Sequence, residues 1–165
     1  NKHFIYLIVV YLISLGALFY VAPNKSCESL DDKFEKTNSI YSQYIKDIDD
    51  GEKLLCFFAP GCDHCMATAR QLDSLSLLNP VFPEVYIVFM NEEPEKIPSF
   101  FEFAGREFRY EIMDVAQFWK VLGFENDTPG IYYLINGNEI NSYQGINEYK
   151  FQPDLLLKDI ENVKD

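Results

Sequence analysis

Residues 54–78 constrain the fold more than any other stretch of this 165-residue chain. They open with a continuous apolar run, LLCFFA, which is too short for a helix and is typical of a central strand buried on both faces. Pro60-Gly61 ends that strand, and apolar side chains then recur at helical spacing until Asn79-Pro80. The pattern therefore predicts a strand, a tight turn and a helix, with Cys62 at the N-terminus of the helix.

The segments around this unit alternate between helical and strand-like patterns, as expected of an α/β domain. Residues 84–90 (EVYIVFM) predict a second buried strand. Residues 131–135 and 139–143 predict a hairpin, because the Asn136-Gly137 pair between them supports the positive φ angles of a two-residue turn. The other predicted elements are a first helix from about Ser29 to Asp50, a short helix at 98–104 ended by Gly105, a strand or edge segment at 108–113, a short helix at 116–122 ended by Gly123, and a terminal helix at 153–163.

A nineteen-residue run without a charge, residues 4–22, precedes the α/β part. It is long enough to cross a bilayer as a helix, and Pro23-Asn24 ends it. A cleaved signal peptide is the rival interpretation, but the run is longer than an ordinary signal core and no A-x-A cleavage pattern follows it. We therefore expect residues 1–23 to form a transmembrane anchor and residues 24–165 to form one domain.

Charge and cysteine content restrict the function. Asp and Glu outnumber Lys and Arg by 26 to 14, which argues against a nucleic acid partner, because a phosphate-binding surface needs clustered basic residues. The four cysteines are too few and too unevenly placed for a disulfide scaffold. Two of them, Cys62 and Cys65, are separated by two residues, which directs attention to redox or metal chemistry.

The predicted position of Cys62 suits thiol chemistry. Backbone N–H groups and the helix dipole at a helix N-terminus stabilise a thiolate, which is the form that attacks disulfides. Cys65 lies one helical turn further on, where it is close enough to displace a partner from a mixed disulfide and too buried to be attacked first. Between them, a protonated His64 would lower the pKa of Cys62 and Asp63 would oppose that effect, so the sign of the net shift stays open.

These residues carry a family resemblance. The sequence LLCFFAPGCDHC, the amphipathic helix after it and the later Asp127-Thr128-Pro129-Gly130 before the hairpin resemble the thioredoxin superfamily, especially its membrane-anchored TlpA/ResA-like branch. The resemblance covers about Glu52 to Tyr143, and it extends to thioredoxin-like domains attached to DoxX/MauE-type membrane proteins. It implies a thioredoxin-like three-layer α/β sandwich with a mixed central sheet, preceded by one N-terminal transmembrane helix.

The resemblance also implies roles for two residues of the later motif. Pro129 should be cis and face the cysteine pair, and Thr128 should offer its backbone to the substrate chain. A proline directly before a buried strand is in any case well placed to leave a peptide-binding edge.

The sequence departs from the family at two positions. Cys56 stands six positions before Cys62, where thioredoxins commonly carry a buried carboxylate that acts in proton transfer to the second cysteine. Gly61 replaces the familiar tryptophan. Both changes argue against a fast general reductase. The stretch from Cys65 to Pro129 is longer than in the minimal fold, which leaves room for an inserted element around residues 92–105.

The cysteines also allow interpretations other than redox exchange. A zinc site needs four ligands, and the only further thiols and imidazoles are dispersed along the chain: Cys27, Cys56, His3 and His64. A copper carrier like the Sco proteins would need a wider cysteine spacing and a distant histidine. Cys56 is interpreted as a buried small hydrophobe. Cys27 is open to lipidation, an intermolecular disulfide or a plain surface role.

Three further features are interpreted without a functional role. The glycosylation sequon at Asn126 is assigned to chance, because Asn126 should lie beside the active site. Trp119 and the phenylalanines at positions 100, 101 and 103 are expected in the core.

The sequence therefore predicts a thiol-disulfide oxidoreductase that needs no metal and no cofactor. Cys62 and Cys65 are the expected catalytic residues, with His64 and Asp63 tuning them and with Thr128-Pro129 binding substrate. The expected partners are protein thiols and disulfides, with a membrane protein as redox partner. By analogy with the anchored members of the family, the domain is expected on the extracytoplasmic, periplasmic face of the cell membrane. The alternative is a non-catalytic thioredoxin-like module with a static disulfide that binds a membrane or envelope partner.

Overall fold

The computed structural model describes residues 33–145 and 150–164, together with the isolated residues 3 and 11. The predicted membrane segment, residues 4–22, falls outside these ranges apart from residue 11, and Cys27 also lies outside them. Among the residues described, no helix is both long enough and apolar enough to cross a bilayer.

A five-stranded mixed sheet forms the centre of the domain, in the order β3-β2-β1-β4-β5. Strands β1, β2 and β3 run parallel, whereas β4 is antiparallel to β1 and β5 is antiparallel to β4. The strands are β1 (Glu52–Phe58), β2 (Glu84–Met90), β3 (Arg109–Met113), β4 (Gly130–Ile135) and β5 (Asn138–Tyr143). The predicted mixed sheet is therefore confirmed.

Between residues 34 and 164, the described chain forms four α-helices and two short 3₁₀ segments beside the sheet. They are a 3₁₀ segment at Ile40–Gln43, α1 (Asp63–Leu78), a 3₁₀ segment at Pro94–Lys96, α2 (Ile97–Ala104), α3 (Val115–Leu122) and α4 (Pro153–Lys164). Gly105 ends α2 in the left-handed conformation that lacks a steric penalty only for glycine. The segment Pro94–Lys96 and α2 together form the inserted element that was expected around residues 92–105.

Two apolar clusters cover the two faces of the sheet. Alternate side chains of β1 divide between them, because successive residues of a strand point to opposite faces. Cys56 and Phe58 join α1, α2 and α4 in the first cluster, whereas Leu55 and Phe57 join α3 and the 3₁₀ region in the second. The predicted three-layer arrangement is thus confirmed. Phe103 was expected in the core and is instead 46% exposed, because it lies on the outer side of the short helix α2.

The predicted hairpin is confirmed, including its turn. Asn136 and Gly137 join β4 to β5 with φ angles of 50° and 79°. A Cβ on Gly137 would lie 2.1 Å from the carbonyl oxygen of Thr37, so the position has space only for glycine. The turn consequently holds the segment before β1 against the hairpin, where the Thr37 N–H donates to Asn136 O at 2.9 Å.

Residue 33 is helical, but the predicted first helix is wrong over residues 34–50, which contain only the 3₁₀ segment, turns and irregular chain. Long-range contacts replace helical ones here. Ser39 N–H donates to the Asp49 carboxylate at 3.0 Å, and Asp47 has a φ of 60°, which ends any right-handed helix. Tyr41 and Ile45 still face the core, which is why their spacing resembled a helix.

Candidate redox site

The turn after β1 delivers Cys62 to the N-cap position of α1. Its N–H donates to the Ala59 carbonyl at 3.1 Å, and its backbone is extended, with φ −88° and ψ 115°. The Cys62 sulfur accepts a hydrogen bond from the Cys65 N–H at 3.4 Å. Cys62 is half-buried and Cys65 is fully buried, and both are free thiols. One sulfur of the pair is thus open to another molecule and the other is not.

Hydrogen bonds to Cys62 favour its thiolate. They lower its pKa from the ordinary value of a thiol to about 6. The largest cause is the hydrogen bond from the Cys65 thiol, and partial burial acts in the opposite direction. The backbone N–H groups of Cys65 and His64 and the side chain of Thr128 add to the lowering. A thiolate at Cys62 is therefore present at neutral pH.

The environment of Cys65 has the opposite effect on ionisation. Burial raises the pKa of the Cys65 thiol well above its ordinary value, and the adjacent Cys62 raises it further. Cys65 consequently remains a protonated donor while Cys62 is the anion. The two thiols therefore differ both in accessibility and in charge.

His64 and Asp63 occupy the first turn of α1, and both are exposed. The structure brings the backbone N–H of His64 to the Cys62 sulfur, so this residue contributes to the thiolate through its main chain. Asp63 lies within electrostatic reach of Lys96 in the inserted element. The sequence predicted both a charge effect of the His64 ring and stabilisation by backbone N–H groups at the helix N-terminus, and the structure shows the second of these at His64.

The peptide bond between Thr128 and Pro129 is cis, as predicted. The Thr128 side chain lies close enough to the two sulfurs to lower the pKa of both Cys62 and Cys65, which places this turn against the cysteine pair. Asp127 accepts the Thr128 N–H through its carboxylate at 2.7 Å, and Pro129 is buried. The structure thus brings the predicted residues of the cysteine motif, Cys62 to Cys65, together with those of the turn, Thr128 and Pro129.

Sequence reasoning missed a set of contacts that brace this turn. The Asn126 amide group donates to Leu122 O at 2.6 Å and to the Tyr132 hydroxyl at 3.3 Å, and its oxygen accepts from Gln144. Gly145 follows, and a Cβ there would lie 2.5 Å from the carbonyl oxygen of Thr128. The only sequence signal for these contacts is Asn126 itself, which belongs to the glycosylation sequon. Its amide nitrogen is engaged in this brace.

The structure accounts for both departures from the family pattern. Cys56 is 0% exposed among apolar residues of the first cluster, and burial raises its pKa, so an uncharged thiol replaces the carboxylate. The expectation that Cys56 is buried like a small hydrophobe is confirmed. A Cβ on Gly61 would lie 2.3 Å from a carboxylate oxygen of Glu93, which pairs with Lys96 at 2.7 Å. The inserted element therefore fills the space that a larger residue at position 61 would need.

Within residues 33–145 and 150–164, no three His, Cys, Asp or Glu side chains come together in the manner of a metal site.

Comparison with solved structures identifies the fold. A putative thiol:disulfide interchange protein DsbE from Chlorobium tepidum matches over 72% of this chain and 84% of its own, with a TM-score of 0.59 and 16% identity. The thioredoxin domain of a thiol-disulfide oxidoreductase from Bacteroides vulgatus matches over 73% and 84%, with a TM-score of 0.58 and 16% identity. The chain has the thioredoxin-like fold. A third thioredoxin-like match is a secreted Mycobacterium tuberculosis disulfide oxidoreductase homologous to E. coli DsbE, with a TM-score of 0.55 and 15% identity over 68% and 81% of the two chains.

A curated relative shares more of the sequence. Protein TlpB of Flavobacterium psychrophilum is 48% identical over 118 residues, which amount to 72% of this chain and 32% of the relative. The chain thus spans about a third of the length of this relative. No family model matches the chain.

Proposed function

We propose that this thioredoxin-like domain is a membrane-tethered thiol-disulfide oxidoreductase that exchanges electrons with protein disulfides outside the cytoplasm. The observation that carries the proposal is the asymmetry between the two sulfurs. Cys62 is partly exposed with a pKa of about 6, and Cys65 is buried one helical turn away with a raised pKa. The names of the structures with this fold, which include disulfide oxidoreductases, support the same class of reaction.

In the first step, the Cys62 thiolate attacks one sulfur of a substrate disulfide. A bond forms between Cys62 and that sulfur, the substrate S–S bond breaks, and the other substrate cysteine leaves as a thiolate. Hydrogen bonds from the Cys65 and His64 N–H groups hold Cys62 ionised before the attack. Thr128 and Pro129 lie beside the sulfurs, where we propose that their backbone holds the partner chain.

In the second step, Cys65 resolves the mixed disulfide. Its sulfur loses a proton and attacks the Cys62 sulfur, which forms the Cys62–Cys65 bond and releases the second substrate thiolate. The proton of Cys65 balances the thiolate that left in the first step, and two electrons have passed to the substrate. Conversion of Cys62 to a disulfide removes its negative charge, which is one of the causes that raise the pKa of Cys65. The same steps in reverse describe oxidation of a substrate dithiol.

Two exposed residues are proposed to tune the couple. A protonated His64 ring would add positive charge near the Cys62 thiolate and stabilise it, and the Asp63 carboxylate would oppose this. Their position on the first turn of α1 supports this role.

We further propose that residues 1–23 are a membrane anchor and that residues 24–165 form the domain on the periplasmic face, with a membrane protein as redox partner. The uncharged run at residues 4–22 supports the anchor. The description of one similar structure as secreted supports the extracytoplasmic side.

Mixed-disulfide trapping tests the proposed reaction. Cys65→Ala leaves the attacking sulfur without its resolving partner, so we expect this variant to accumulate mixed disulfides with other proteins. Cys62→Ala should form none, and Cys56→Ala is the control that should resolve them as the unaltered chain does. Non-reducing electrophoresis followed by mass spectrometry provides the measurement. Equal trapping by the two active-site variants would reject the assigned roles, and trapping by neither would favour a non-catalytic module.

A further inference from the structure

Two adjacent cavities follow the outer face of α1. The first has a volume of about 200 Å³ and lies between His64, Pro129 and Phe151. The second has a volume of about 370 Å³ and lies further along the helix, towards Leu75. The cavities share two lining residues, Ala67 and Gln71, so they adjoin each other, and we call the two together the α1 groove.

The α1 groove begins at the proposed redox site and has the length of a short peptide. His64, at its upper end, lies within the cysteine motif, and Leu75 lies eleven positions further on. Eleven residues of α-helix rise roughly 16 Å. An extended polypeptide advances about 3.3 Å per residue, so the groove has room for roughly five residues. A substrate segment that flanks the reacting cysteine could therefore lie in the groove while that cysteine is positioned at Cys62.

The charge of the α1 groove is opposite to that of the whole chain. Its charged or basic described residues are His64, Arg70 and Lys150, and no Asp or Glu lines it among the residues described. The chain as a whole carries a net charge of −12. On the other side of the cysteine motif, Asp63 is exposed and Glu93 lies against Gly61. Glu93 is paired with Lys96 there, whereas Arg70 and Lys150 line the groove with no carboxylate among its described lining residues.

Apolar surface accompanies these basic groups. Phe103 is 46% exposed at the wall of the groove, and the Arg70 guanidinium lies over it, 5.4 Å from the ring centre. This contact keeps the cation at the edge and leaves the side chains of Ala67 and Leu75 available to apolar groups. The groove thus combines an apolar surface with basic groups at its edges, which suits a segment that alternates apolar and acidic side chains.

We propose that the α1 groove binds an extended segment of the substrate polypeptide, next to the substrate cysteine, that carries acidic and apolar side chains. This inference rests on the proposed function, because the groove acts only on a molecule whose disulfide meets Cys62. Arg70 and Lys150 would select acidic substrate segments over basic ones.

Peptide kinetics test the inference on the full chain in detergent. Three peptides share one cysteine that carries a thionitrobenzoate leaving group, and they differ in flanking residues: alternating Glu and Leu, Gln and Leu, or Lys and Leu. Attack of Cys62 on the peptide sulfur releases the coloured thiolate. We expect the acidic peptide to react about five- to tenfold faster than the basic one, and the difference to shrink at high salt.

Charge variants provide the matched comparison. The double variant Arg70→Gln, Lys150→Gln should reduce the preference to less than about twofold. The double variant Lys46→Gln, Lys120→Gln removes the same charge from two exposed lysines that do not line the groove, and it should keep the preference. Equal rates for all peptides, or an equal loss of preference in both double variants, would overturn the inference while leaving the proposed reaction intact. Absence of reaction with every peptide would contradict the proposed function itself.

Discussion

Cys62 accepts hydrogen bonds from the Cys65 thiol, from two backbone N–H groups and from Thr128. Each of these bonds favours the thiolate over the thiol, and partial burial opposes them. The contribution of the Cys65 thiol is the largest, so the resolving cysteine also activates the attacking one. This coupling leads to a prediction about the variant that lacks Cys65.

Replacing Cys65 by Ala should raise the pKa of Cys62 above the value of about 6 that it has in the intact pair. A thiol is reactive above its pKa, so the rate of alkylation by iodoacetamide should fall to half at a higher pH in the variant. The measurement is the alkylation rate as a function of pH in a Cys27→Ser background. Buried Cys56 should stay unlabelled in both proteins. An unchanged midpoint would contradict the role given to the Cys65 thiol.

The turn that contains Thr128 and Pro129 is held in place by residues of other elements. Asn126 ties it to the end of α3 through Leu122, and Gln144 ties it to the end of β5. Gly145 lies so close to Thr128 that a Cβ would come within 2.5 Å of the Thr128 carbonyl oxygen. The position of Thr128 relative to the two sulfurs therefore depends on residues at the ends of two other elements.

Gly145→Ala should displace Thr128 and weaken its hydrogen bond to Cys62. We expect the pKa of Cys62 to rise and the rate of disulfide exchange to fall by roughly two- to tenfold at neutral pH. The control is Gly51→Ala, whose added methyl group meets no atom within 4 Å but whose φ of 73° is unsuited to alanine, so it should cost stability away from the redox site. The control should lose stability without a change in the pH dependence of alkylation. An identical effect of both substitutions on Cys62 would refute the brace.

Local signals made some elements predictable and others not. The Asn136-Gly137 turn and the strand–turn–helix unit at Cys62 follow from neighbouring residues alone. The predicted first helix was wrong because Ser39 bonds to Asp49 and Thr37 bonds to Asn136. The periodic apolar residues there serve packing against the sheet, and periodicity alone does not separate that from a helix.

The two apolar clusters, one on each face of the sheet, differ in their relation to the redox site. The first cluster contains Cys65 and supports the redox site, and the second contains Phe57, Phe118 and Tyr132. Rings in the second cluster pack edge to face, with Phe57 and Phe118 5.4 Å apart between centres. Phe118 makes none of the hydrogen bonds that brace the Thr128-Pro129 turn, so it should contribute stability and leave the chemistry of the sulfurs unaffected.

Phe118→Ala tests whether this side chain affects stability without affecting Cys62. Phe118 is 0% exposed, so its truncation should cost about 3–5 kcal/mol of unfolding free energy through lost burial and a cavity. The midpoint of urea unfolding should fall accordingly, whereas the pH dependence of Cys62 alkylation should stay unchanged below the transition. A shift in that profile would show that the two faces are coupled.

The first described residue after the proposed anchor lies at the end of the molecule opposite the redox site. Lys33 donates to Val163 O at 2.9 Å, and the neighbouring Lys164 lies 3.4 Å from Glu52 at the start of β1. Cys62 follows the other end of β1. The described chain therefore enters the domain at the end of the sheet that is remote from Cys62.

The sequence predicted which residues meet at the candidate site better than it predicted the contacts around them. Cys62, Cys65 and the cis Pro129 belong to short motifs, and a short motif can be recognised from the sequence alone. Contacts between distant positions were invisible there, because nothing in the sequence brings Glu93 to Gly61 or Gln144 to Asn126. The α1 groove is lined by residues from four separate segments, so it could not be predicted from the sequence for the same reason.

An equilibrium redox titration of the full chain tests the central claim most directly. The protein is incubated in buffers of graded dithiothreitol or glutathione potential, trapped with an alkylating reagent and mapped by mass spectrometry. The account predicts one reversible two-electron transition confined to Cys62 and Cys65, at a potential between about −270 mV and about −120 mV, the span from thioredoxin to DsbA. A Cys62–Cys65 disulfide that resists reduction across this range, or a transition that involves Cys56 instead, would contradict it.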